Sequence, residues 1–313
     1  MKLIKPKFWG TKKSVFPYVL LPITFTLMLI IWIKKKITRV LKFKIKVICI
    51  GNIYLGGTGK TPLSIFLAKE ISKIGRKTAI IRKFYKNHID EYKLIEKNYS
   101  YLITEKNRVD GINKAIKRGF DTVILDDGFQ DYKINKDFNI LCFNENQLIG
   151  NGFVIPSGPL RETLNSIENV KIIIINGKKN EIFEKKIKKY NKEVSFYYSN
   201  YNLKNTEKFK NEKLIAIAGI GNPENFFKLL QDNNLDVKEK LVFPDHFLFK
   251  KSEIEKIIKR SKEKNYKIIM TEKDFCRIKD YNYSNIDYAE VDLIINQKEK
   301  LLNDISKIYD KIS

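Results

Sequence analysis

The sequence has few of the residues that most often build metal centres and disulfide frameworks. Its 313 residues include three cysteines and two histidines. The cysteines, Cys49, Cys142 and Cys276, are far apart and lie mostly within apolar segments, so they form neither a zinc-binding pattern nor a disulfide framework. This use of cysteine fits a reducing, cytoplasmic setting.

Acidic residues are scarce relative to basic ones. Lysine and arginine total 60 against 36 aspartates and glutamates, which gives a formal net charge of +24. Such a charge usually indicates nucleic acid, an anionic membrane or a polyanionic substrate, although a lysine-rich composition along the whole chain explains part of it. Because no module of interleaved aromatic and basic residues supports RNA or DNA binding, we expect no nucleic acid partner.

Charge is absent from one segment near the N-terminus. Residues 14–33, SVFPYVLLPITFTLMLIIWI, are uncharged and have basic flanks, and a helix of about 20 residues reaches about 30 Å, the thickness of a bilayer core. No small-residue cleavage site follows, so a signal peptide is not expected. Pro17 and Pro22 limit the continuous helix to about 22–40. We expect a membrane-inserted or interfacial anchor; the alternative is a helix buried in the globular protein.

Beyond residue 44, short apolar segments alternate with helical patterns. These segments are rich in isoleucine and valine, as strands buried on both faces are, which indicates a mostly parallel sheet covered by helices. Strands are predicted at 45–50, 77–82, 100–103, 121–126, 138–143 and 170–176, and helices at 61–74 and 109–118. After an extended, aromatic stretch at 194–203, a second alternation has strands at 214–220, 237–243, 266–271 and 287–294, and helices at 223–231, 252–263 and 297–312.

A glycine-rich loop, GNIYLGGTGKTPL (51–63), joins the first strand to a helix. Backbone N–H groups at such a junction, with the helix dipole, bind phosphate, while Lys60 can reach the β- and γ-phosphates and the Thr61 hydroxyl can hold Mg²⁺. The strict pattern has a glycine where this chain has Tyr54, so the loop is a variant. The predicted nucleotide-binding residues are Tyr54, Leu55, Gly56, Gly57, Thr58, Gly59, Lys60 and Thr61.

A carboxylate partner for the metal is expected at the end of a neighbouring strand. TVILDDGFQ (122–130) supplies Asp126 and Asp127 at that position, and ligands of open α/β sheets bind at the carboxyl edge of the strands. We therefore predict Thr61, Asp126 and Asp127 as metal ligands. A plain surface turn before Gly128 is the alternative.

Three further loops hold candidate residues for a phosphate acceptor site. The loop 80–92 carries Asp90 and Glu91, the loop 153–162 carries Arg161 and Glu162, and the loop 242–247 carries His246. Taken singly, each has an ordinary explanation: a solvated acidic pair, a loop before a helix and a structural histidine. Their residue types alone do not decide between these explanations and a catalytic role.

The order of these segments is more specific than any one of them. GNIYLGGTGKTP is followed by the Asp-Glu pair, DDGFQ, PSGPLRE, FPDHF and TEKD (271–274). This arrangement resembles the tetraacyldisaccharide 4'-kinase family of lipid A biosynthesis from about residue 9 to residue 275. The resemblance implies transfer of phosphate from ATP, with Mg²⁺, to the 4'-hydroxyl of a tetraacylated glucosamine disaccharide 1-phosphate, at the cytoplasmic face of the bacterial inner membrane. A membrane surface and an acylated lipid are thus the expected partners, and the protein is expected to be a monomer.

The resemblance also implies a fold of two α/β/α domains, the first like a P-loop NTPase, with the active site in the cleft between them. The expected regions are an N-terminal membrane-associated helix (1–40), a P-loop kinase domain (41–193), an extended linker (194–210) and a second α/β domain (211–313) that closes over the active site. Asp90 and His246 fall in different domains of this scheme, so they would meet only when ATP drives closure.

Residue roles carry over by motif. Asp90 matches the catalytic aspartate and His246 the histidine that supports it, with Lys60 and Asp127 also in the catalytic set. The supporting residues are Glu91, Gln130, Arg161 and Glu162. Two departures concern detail: IRKFYKN (81–87) stands where the family usually has SRGYGG, and Asp131 stands where it has histidine after DDGFQ.

The alternative from another class is a P-loop nucleotide switch or targeting factor, which would need the loop and the strand aspartates but neither Asp90 nor His246. No NKxD motif for guanine recognition follows a late strand, and TEKD at 271–274 matches it only in part.

Overall fold

The apolar segments of the sequence form the strands of two sheets. The structure, a computed structural model, describes residues 6–11, 14–86, 88–281 and 283–310. The chain divides into two compact units. The first contains the described residues up to Phe84, those of Tyr101–Asn200 and those from Ile295 onward, and the second contains those of Tyr85–Ser100 and Tyr201–Ile294.

The larger sheet has the strand order β12-β7-β6-β5-β1-β4-β2-β3. Its strands are β1 (Lys46–Gly51), β2 (Thr78–Lys83), β3 (Leu102–Glu105), β4 (Thr122–Asp126), β5 (Phe138–Asn144), β6 (Ile172–Asn176), β7 (Ser195–Leu203) and β12 (Val291–Ile295). The pairs from β3 through β7 are parallel. Because β1 and β4 are parallel neighbours, their carboxyl ends lie at the same edge of the sheet. The strand order reverses beside β1, which is where ligands bind in open α/β sheets.

Helices of the first unit include α1 (Phe16–Val19), α2 (Leu21–Ile37), α3 (Lys60–Lys73), α5 (Arg108–Lys117), α6 (Glu181–Lys188) and α10 (Lys298–Asp310). Apolar residues of α5 and α6, with Met28 of α2, cover one face of the strands in a core cluster. Its strand residues include Val47, Ile81, Leu125, Phe143 and Ile173. Hydrogen bonds anchor the α10 helix: the hydroxyls of Tyr309 and Thr122 lie 3.0 Å apart, and the Tyr197 hydroxyl donates to the Asp304 carboxylate at 2.6 Å.

The uncharged N-terminal segment has one buried side and one exposed side. In α2 the hydroxyl of Thr24 lies 2.7 Å from that of Ser157, and Met28 packs against the main core cluster. The opposite side leaves large apolar side chains in solvent, such as Phe25 and Ile30. Among the described residues, every helix falls short of the length and apolar character that crossing a bilayer requires. The helix ends at Ile37, not at residue 40, because the backbone turns extended at Thr38.

The second unit is built on a smaller parallel sheet with the order β11-β10-β8-β9. The strands are β8 (Lys213–Ala218), β9 (Asp236–Val242), β10 (Lys267–Thr271) and β11 (Ile286–Ala289), and the helices are α4 (Ile89–Asn98), α7 (Pro223–Asp232), α8 (Lys251–Lys264) and α9 (Glu272–Ile278). Apolar clusters cover both faces of this sheet. The fold class predicted from the sequence, two α/β domains with mostly parallel sheets, is confirmed.

The unit boundaries differ from the predicted domains in three places. The described residues from Ile295 onward, expected in the second domain (211–313), belong to the first unit, because α10 is hydrogen-bonded there through Tyr309 and Asp304. The described residues of 85–100, expected in the first domain with 80–92 as a loop, belong to the second unit and include α4 (Ile89–Asn98). In this helix Tyr92 and Ile95 are buried and Lys97 pairs with Glu272 at 2.7 Å. The stretch 194–203 of the expected extended linker forms the strand β7 (Ser195–Leu203), as an extended conformation predicts, but it pairs with β6 and so belongs to the larger sheet.

One predicted strand also changes, and one helix of the second unit was not predicted. The strand expected at 287–294 is two strands, β11 and β12. The helix α9 was not predicted; it begins at the TEKD motif, where the Thr271 hydroxyl caps it by accepting a hydrogen bond from the Asp274 N–H at 3.1 Å.

Candidate active site

The glycine-rich loop follows β1 and turns directly into α3. Gly59, the N-cap of α3, has a φ of +87°, and Gly56 has a φ of +140°, conformations that favour glycine. The Asn52 amide braces the loop, donating to the Gly56 carbonyl at 3.1 Å and to the Thr58 hydroxyl at 3.0 Å. Since the side chains of Tyr54 and Thr58 are buried, their contribution to phosphate binding would come from the backbone.

Asp126 at the end of β4 is completely buried and accepts hydrogen bonds from three side chains. The hydroxyl of Thr61 donates to it at 3.0 Å and that of Ser64 at 3.1 Å, both from the first turns of α3. Arg82, at the end of β2, forms an ion pair with the same carboxylate and donates to the Thr61 hydroxyl at 3.0 Å. The two predicted metal ligands, Thr61 and Asp126, are thus in direct contact.

Asp127 is more exposed and lies among positive charges. Its carboxylate is 3.5 Å from the Lys60 ammonium and 3.1 Å from the Arg161 guanidinium. Burial opposes ionisation, but the charges of Lys60 and Arg161, with those of Arg82 and Arg108, outweigh it and hold the pKa of Asp127 well below its usual range. The structure therefore brings together Lys60, Asp127 and Arg161, three residues predicted from separate motifs.

Two arginines at this edge were not predicted. Besides Arg82, the buried Arg108 of α5 donates to the backbone carbonyls of Asp126 (3.2 Å) and Asp127 (2.7 Å). Arg108 also lies 3.7 Å from Asp131, so the aspartate that replaces the usual histidine has an ionic partner here. The sequence signal that could have identified Arg82 is its position at the end of the predicted buried strand 77–82, where a charged residue needs a partner.

The loop 153–162 lies against the phosphate loop. Leu55 donates its N–H to the Pro159 carbonyl at 2.9 Å, and Arg161 donates its N–H to the Ile53 carbonyl at 2.7 Å. Gln130 donates to the Asn52 carbonyl at 3.0 Å and accepts from the Arg161 side chain at 3.3 Å. Arg161 and Gln130 are therefore hydrogen-bonded directly to the backbone of the predicted phosphate loop.

Glu162 has a different partner. Its buried carboxylate pairs with Lys35 in the last turn of α2 at 2.5 Å. The neighbouring residues Arg161 and Glu162 thus connect the phosphate site, on one side, with the N-terminal helix, on the other.

The residues around Thr61 suit a hard divalent cation. One hydroxyl and two carboxylates offer oxygen ligands, which Mg²⁺ prefers. The side-chain carbonyl oxygen of Asn52 is buried beside the loop and has no hydrogen-bond partner among the described residues, so a polar ligand or water could satisfy it. This set fits magnesium held with nucleotide phosphates.

In the second unit, Asp90 and His246 form a contact. His246 Nδ1 lies 3.3 Å from Asp90 Oδ1 and 3.2 Å from Oδ2. Asp90 is in the first turn of α4 and is buried, whereas His246 follows β9 with a φ of +58° and is partly exposed. The expectation that only domain closure would bring this pair together is wrong, because α4 belongs to the same unit as the histidine loop.

The charges around this pair favour the ionised form of Asp90. Arg277 donates to Asp90 Oδ2 through Nε at 3.1 Å and through Nη2 at 2.6 Å, and the Lys273 ammonium lies 3.7 Å from the same oxygen. Burial opposes ionisation, but the hydrogen bond from His246 and the charges of Lys273 and Arg277 outweigh it, so the pKa of Asp90 lies well below its usual range.

Lys273 is a shared cation for this cluster. Its ammonium lies 3.0 Å from Glu91, 3.1 Å from Asp245 and 3.4 Å from His246 Nε2. Potential ligand atoms of His88, Glu91 and His246 all lie within 4.8 Å of one another, and the two imidazoles stack at 4.1 Å. Because the ammonium already neutralises Glu91 and contacts His246, this cluster has its own cation.

Comparison with known proteins identifies the family. The family model for LpxK, tetraacyldisaccharide-1-P 4'-kinase, matches residues 16–310. A tetraacyldisaccharide 4'-kinase of Pelagibacter ubique is 39% identical over 315 residues, which cover 99% of this chain and 100% of the relative. The chain belongs to the tetraacyldisaccharide 4'-kinase family. The resemblance seen in its sequence motifs is thereby confirmed.

Other members of the tetraacyldisaccharide 4'-kinase family are similar along their length. The protein of that name from Rickettsia akari is 32% identical, over 99% of this chain and 98% of its own. A crystal structure of LpxK from Aquifex aeolicus in complex with ATP has a TM-score of 0.72 at 23% identity and covers 93% of this chain and 99% of that one. At that identity, the structural likeness establishes a common fold.

Proposed function

We propose that this kinase transfers the γ-phosphoryl group of ATP to the 4'-hydroxyl of a tetraacylated glucosamine disaccharide 1-phosphate, forming lipid IVA. Membership of the tetraacyldisaccharide 4'-kinase family supports this reaction. The observation that favours it over a nucleotide switch is the contact between Asp90 and His246, because nucleotide hydrolysis in a switch would need neither residue.

ATP is the phosphoryl donor, and the phosphate loop is its proposed binding site. Backbone N–H groups of residues 54–61 and the Lys60 ammonium would bind the phosphates. Thr61, Asp126 and Asp127 would hold Mg²⁺, which when bound neutralises the charge that develops on the transferred group. Arg161 and Lys60, both within 3.5 Å of Asp127, add positive charge at the same position.

The acceptor is an unactivated sugar hydroxyl, so its proton must be removed as it attacks phosphorus. We propose that Asp90 takes this proton and that His246 supports it, as the contact between them suggests. The O–H bond of the sugar breaks, its oxygen forms the new bond to phosphorus, and ADP leaves. General-base assistance of this kind contributes about 10²–10⁴-fold, and positioning and charge neutralisation supply much of the remainder.

The direct test is transfer of label from γ-labelled ATP to the tetraacyldisaccharide 1-phosphate. The wild-type protein should label the lipid, and Lys60→Ala should abolish labelling while its melting temperature stays near that of the wild type. Hydrolysis of ATP at the same rate with and without the lipid, and no labelled lipid, would instead indicate the nucleotide switch.

We further propose that the exposed side of α1 and α2 binds the cytoplasmic surface of the inner membrane, where the lipid substrate and ATP are both accessible. Eleven large apolar residues between Val15 and Ile37 are exposed, and a patch of this kind on a soluble protein commonly marks an interaction surface. Lys34 and Lys36 lie in the last turn of α2, beside Lys35, which pairs with Glu162, and each lysine near an anionic surface contributes about 1 kcal/mol.

Deleting residues 1–33 would be an ambiguous test, because Trp9, Thr24 and Met28 contact the rest of the first unit. The better variant is Phe25→Glu with Ile30→Glu, since both side chains are largely exposed. Sedimentation with anionic vesicles should fall at least tenfold. Ile182→Glu in α6, whose side chain is also exposed, is the control for a new acidic residue on another exposed apolar position and should sediment normally. Equal sedimentation of both variants would contradict the proposed surface.

A further inference from the structure

A buried arginine fixes the orientation of the Asp90 carboxylate. The Arg277 side chain is 4% exposed and Asp90 1% exposed. Both nitrogens that donate to Asp90, Nε and Nη2, bind the same oxygen, Oδ2. The remaining nitrogen, Nη1, donates to the Gly219 carbonyl at 3.0 Å and to Asp274. The guanidinium is therefore held at both ends.

Asp274, which accepts a hydrogen bond from Arg277 Nη1, is itself held in place. It is completely buried and accepts hydrogen bonds from the Gly219 N–H at 2.8 Å and the Thr271 hydroxyl at 2.6 Å. Gly219 and Thr271 lie at the ends of β8 and β10. Through Asp274, the arginine therefore has a fixed position relative to the sheet of the second unit. A side chain at position 219 would not fit, because its Cβ would be 2.9 Å from Asp274 Oδ1 and 3.3 Å from Arg277 Nη1.

The two oxygens of Asp90 consequently have different surroundings. Oδ2 faces Arg277 and, at 3.7 Å, Lys273. His246 Nδ1 lies at nearly the same distance from both oxygens, 3.3 Å from Oδ1 and 3.2 Å from Oδ2, so Arg277 is what distinguishes the two oxygens. An arginine fork imposes this geometry more strictly than a lysine, whose single ammonium has no planar constraint.

We propose that Arg277 is a positioning residue for phosphoryl transfer: it holds Asp90 by Oδ2, so that Oδ1, the oxygen that Arg277 does not bind, accepts the proton of the sugar hydroxyl. This inference rests on the proposed function of Asp90. Arg277 is buried and bonds to Asp90, Asp274 and the Gly219 carbonyl. If it acts through Asp90, its loss should lower kcat and leave the affinity for ATP unchanged. A displacement of about 1 Å in a catalytic group costs about 10²-fold in rate.

The experiment compares Arg277→Gln and Arg277→Lys with the wild type and with Arg260→Gln. Arg260 is a half-exposed arginine of α8 in the same unit, paired with Glu239, and serves as the matched control. We expect kcat to fall about 10²-fold in Arg277→Gln and less in Arg277→Lys, with ATP affinity unchanged and Arg260→Gln fully active. If Arg277→Gln does not fold, Arg277→Lys decides, and a kcat equal to that of the wild type would overturn the proposal.

A double substitution separates positioning from a general structural role. If Arg277 works only through Asp90, adding Arg277→Gln to Asp90→Ala should lower kcat by less than twofold beyond Asp90→Ala alone. A further loss approaching 10²-fold in that background would refute the proposal. The same assays show whether the wild type labels the lipid at all, so failure of the proposed function is distinguishable from failure of this inference.

Discussion

Replacing Asp126 by asparagine should destabilise the first unit, and the structure gives the size of the effect. Asp126 is completely buried and pairs with Arg82, which is 6% exposed. Asparagine can still bond the hydroxyls of Thr61 and Ser64, so the main loss is the negative charge opposite a buried arginine. Removing one partner of a buried ion pair costs about 3–5 kcal/mol.

In a unit of about 200 residues, 1 kcal/mol shifts the melting temperature by roughly 2–4 °C. We therefore expect Asp126→Asn to lower the melting temperature by roughly 6–20 °C, measured by circular dichroism without nucleotide. Glu193→Gln is the control, because its ion pair with Lys171 is at the surface, with the glutamate side chain 85% exposed, and such pairs contribute about 0–1 kcal/mol.

A second substitution separates stability from function. Replacing both partners of a buried ion pair is often nearly neutral, so Asp126→Asn combined with Arg82→Met should recover most of the lost melting temperature. Phosphoryl transfer should stay lost, because the carboxylate proposed to hold Mg²⁺ is still missing. A melting temperature of Asp126→Asn within about 2 °C of the wild type, or a double variant as unstable as the single one, would refute the reasoning.

Two further predictions concern the second unit and pH. Asp90→Ala should lower kcat about 10²–10⁴-fold, and adding His246→Ala should cost little more, since the residues act as a pair; losses that multiply would contradict this. The depressed pKa values of Asp90 and Asp127 add stability that is complete above about pH 5 and is lost as pH falls further below the ordinary aspartate value of about 3.9. Urea unfolding of wild type and Asp90→Asn should therefore differ less at pH 3 than at pH 7.

Much of the first unit's site was predictable because its signals are local. Glycines with positive φ, a lysine and a threonine at a strand-to-helix junction describe the phosphate loop within thirteen residues. The aspartates after β4 follow from the rule that parallel strands place their carboxyl ends at one edge. The ionic partner of Asp126 was not predicted, because Arg82 comes from β2, 44 positions away, and only strand order makes the two ends neighbours.

The second unit shows what motif order can and cannot convey. Family resemblance singled out Asp90 and His246 as a functional pair that would meet only on domain closure, whereas the structure places them in contact within one unit. The segment 85–100 was expected in the first domain. The apolar pattern of α4 is short, with Tyr92 and Ile95 as its buried hydrophobic residues, so a helix was hard to distinguish from a polar loop. Its packing against α9 decides which unit it joins.

The sequence by itself determined the two α/β domains, the family, the phosphate loop and the uncharged N-terminal segment, because these depend on residue types close together in the chain. Tertiary structure alone decided which side of α2 is buried, which cations surround each aspartate, and that Arg277 holds Asp90 across 187 positions. Such contacts depend on strand order and helix packing, and a buried charge takes whichever partner the fold brings within hydrogen-bonding distance.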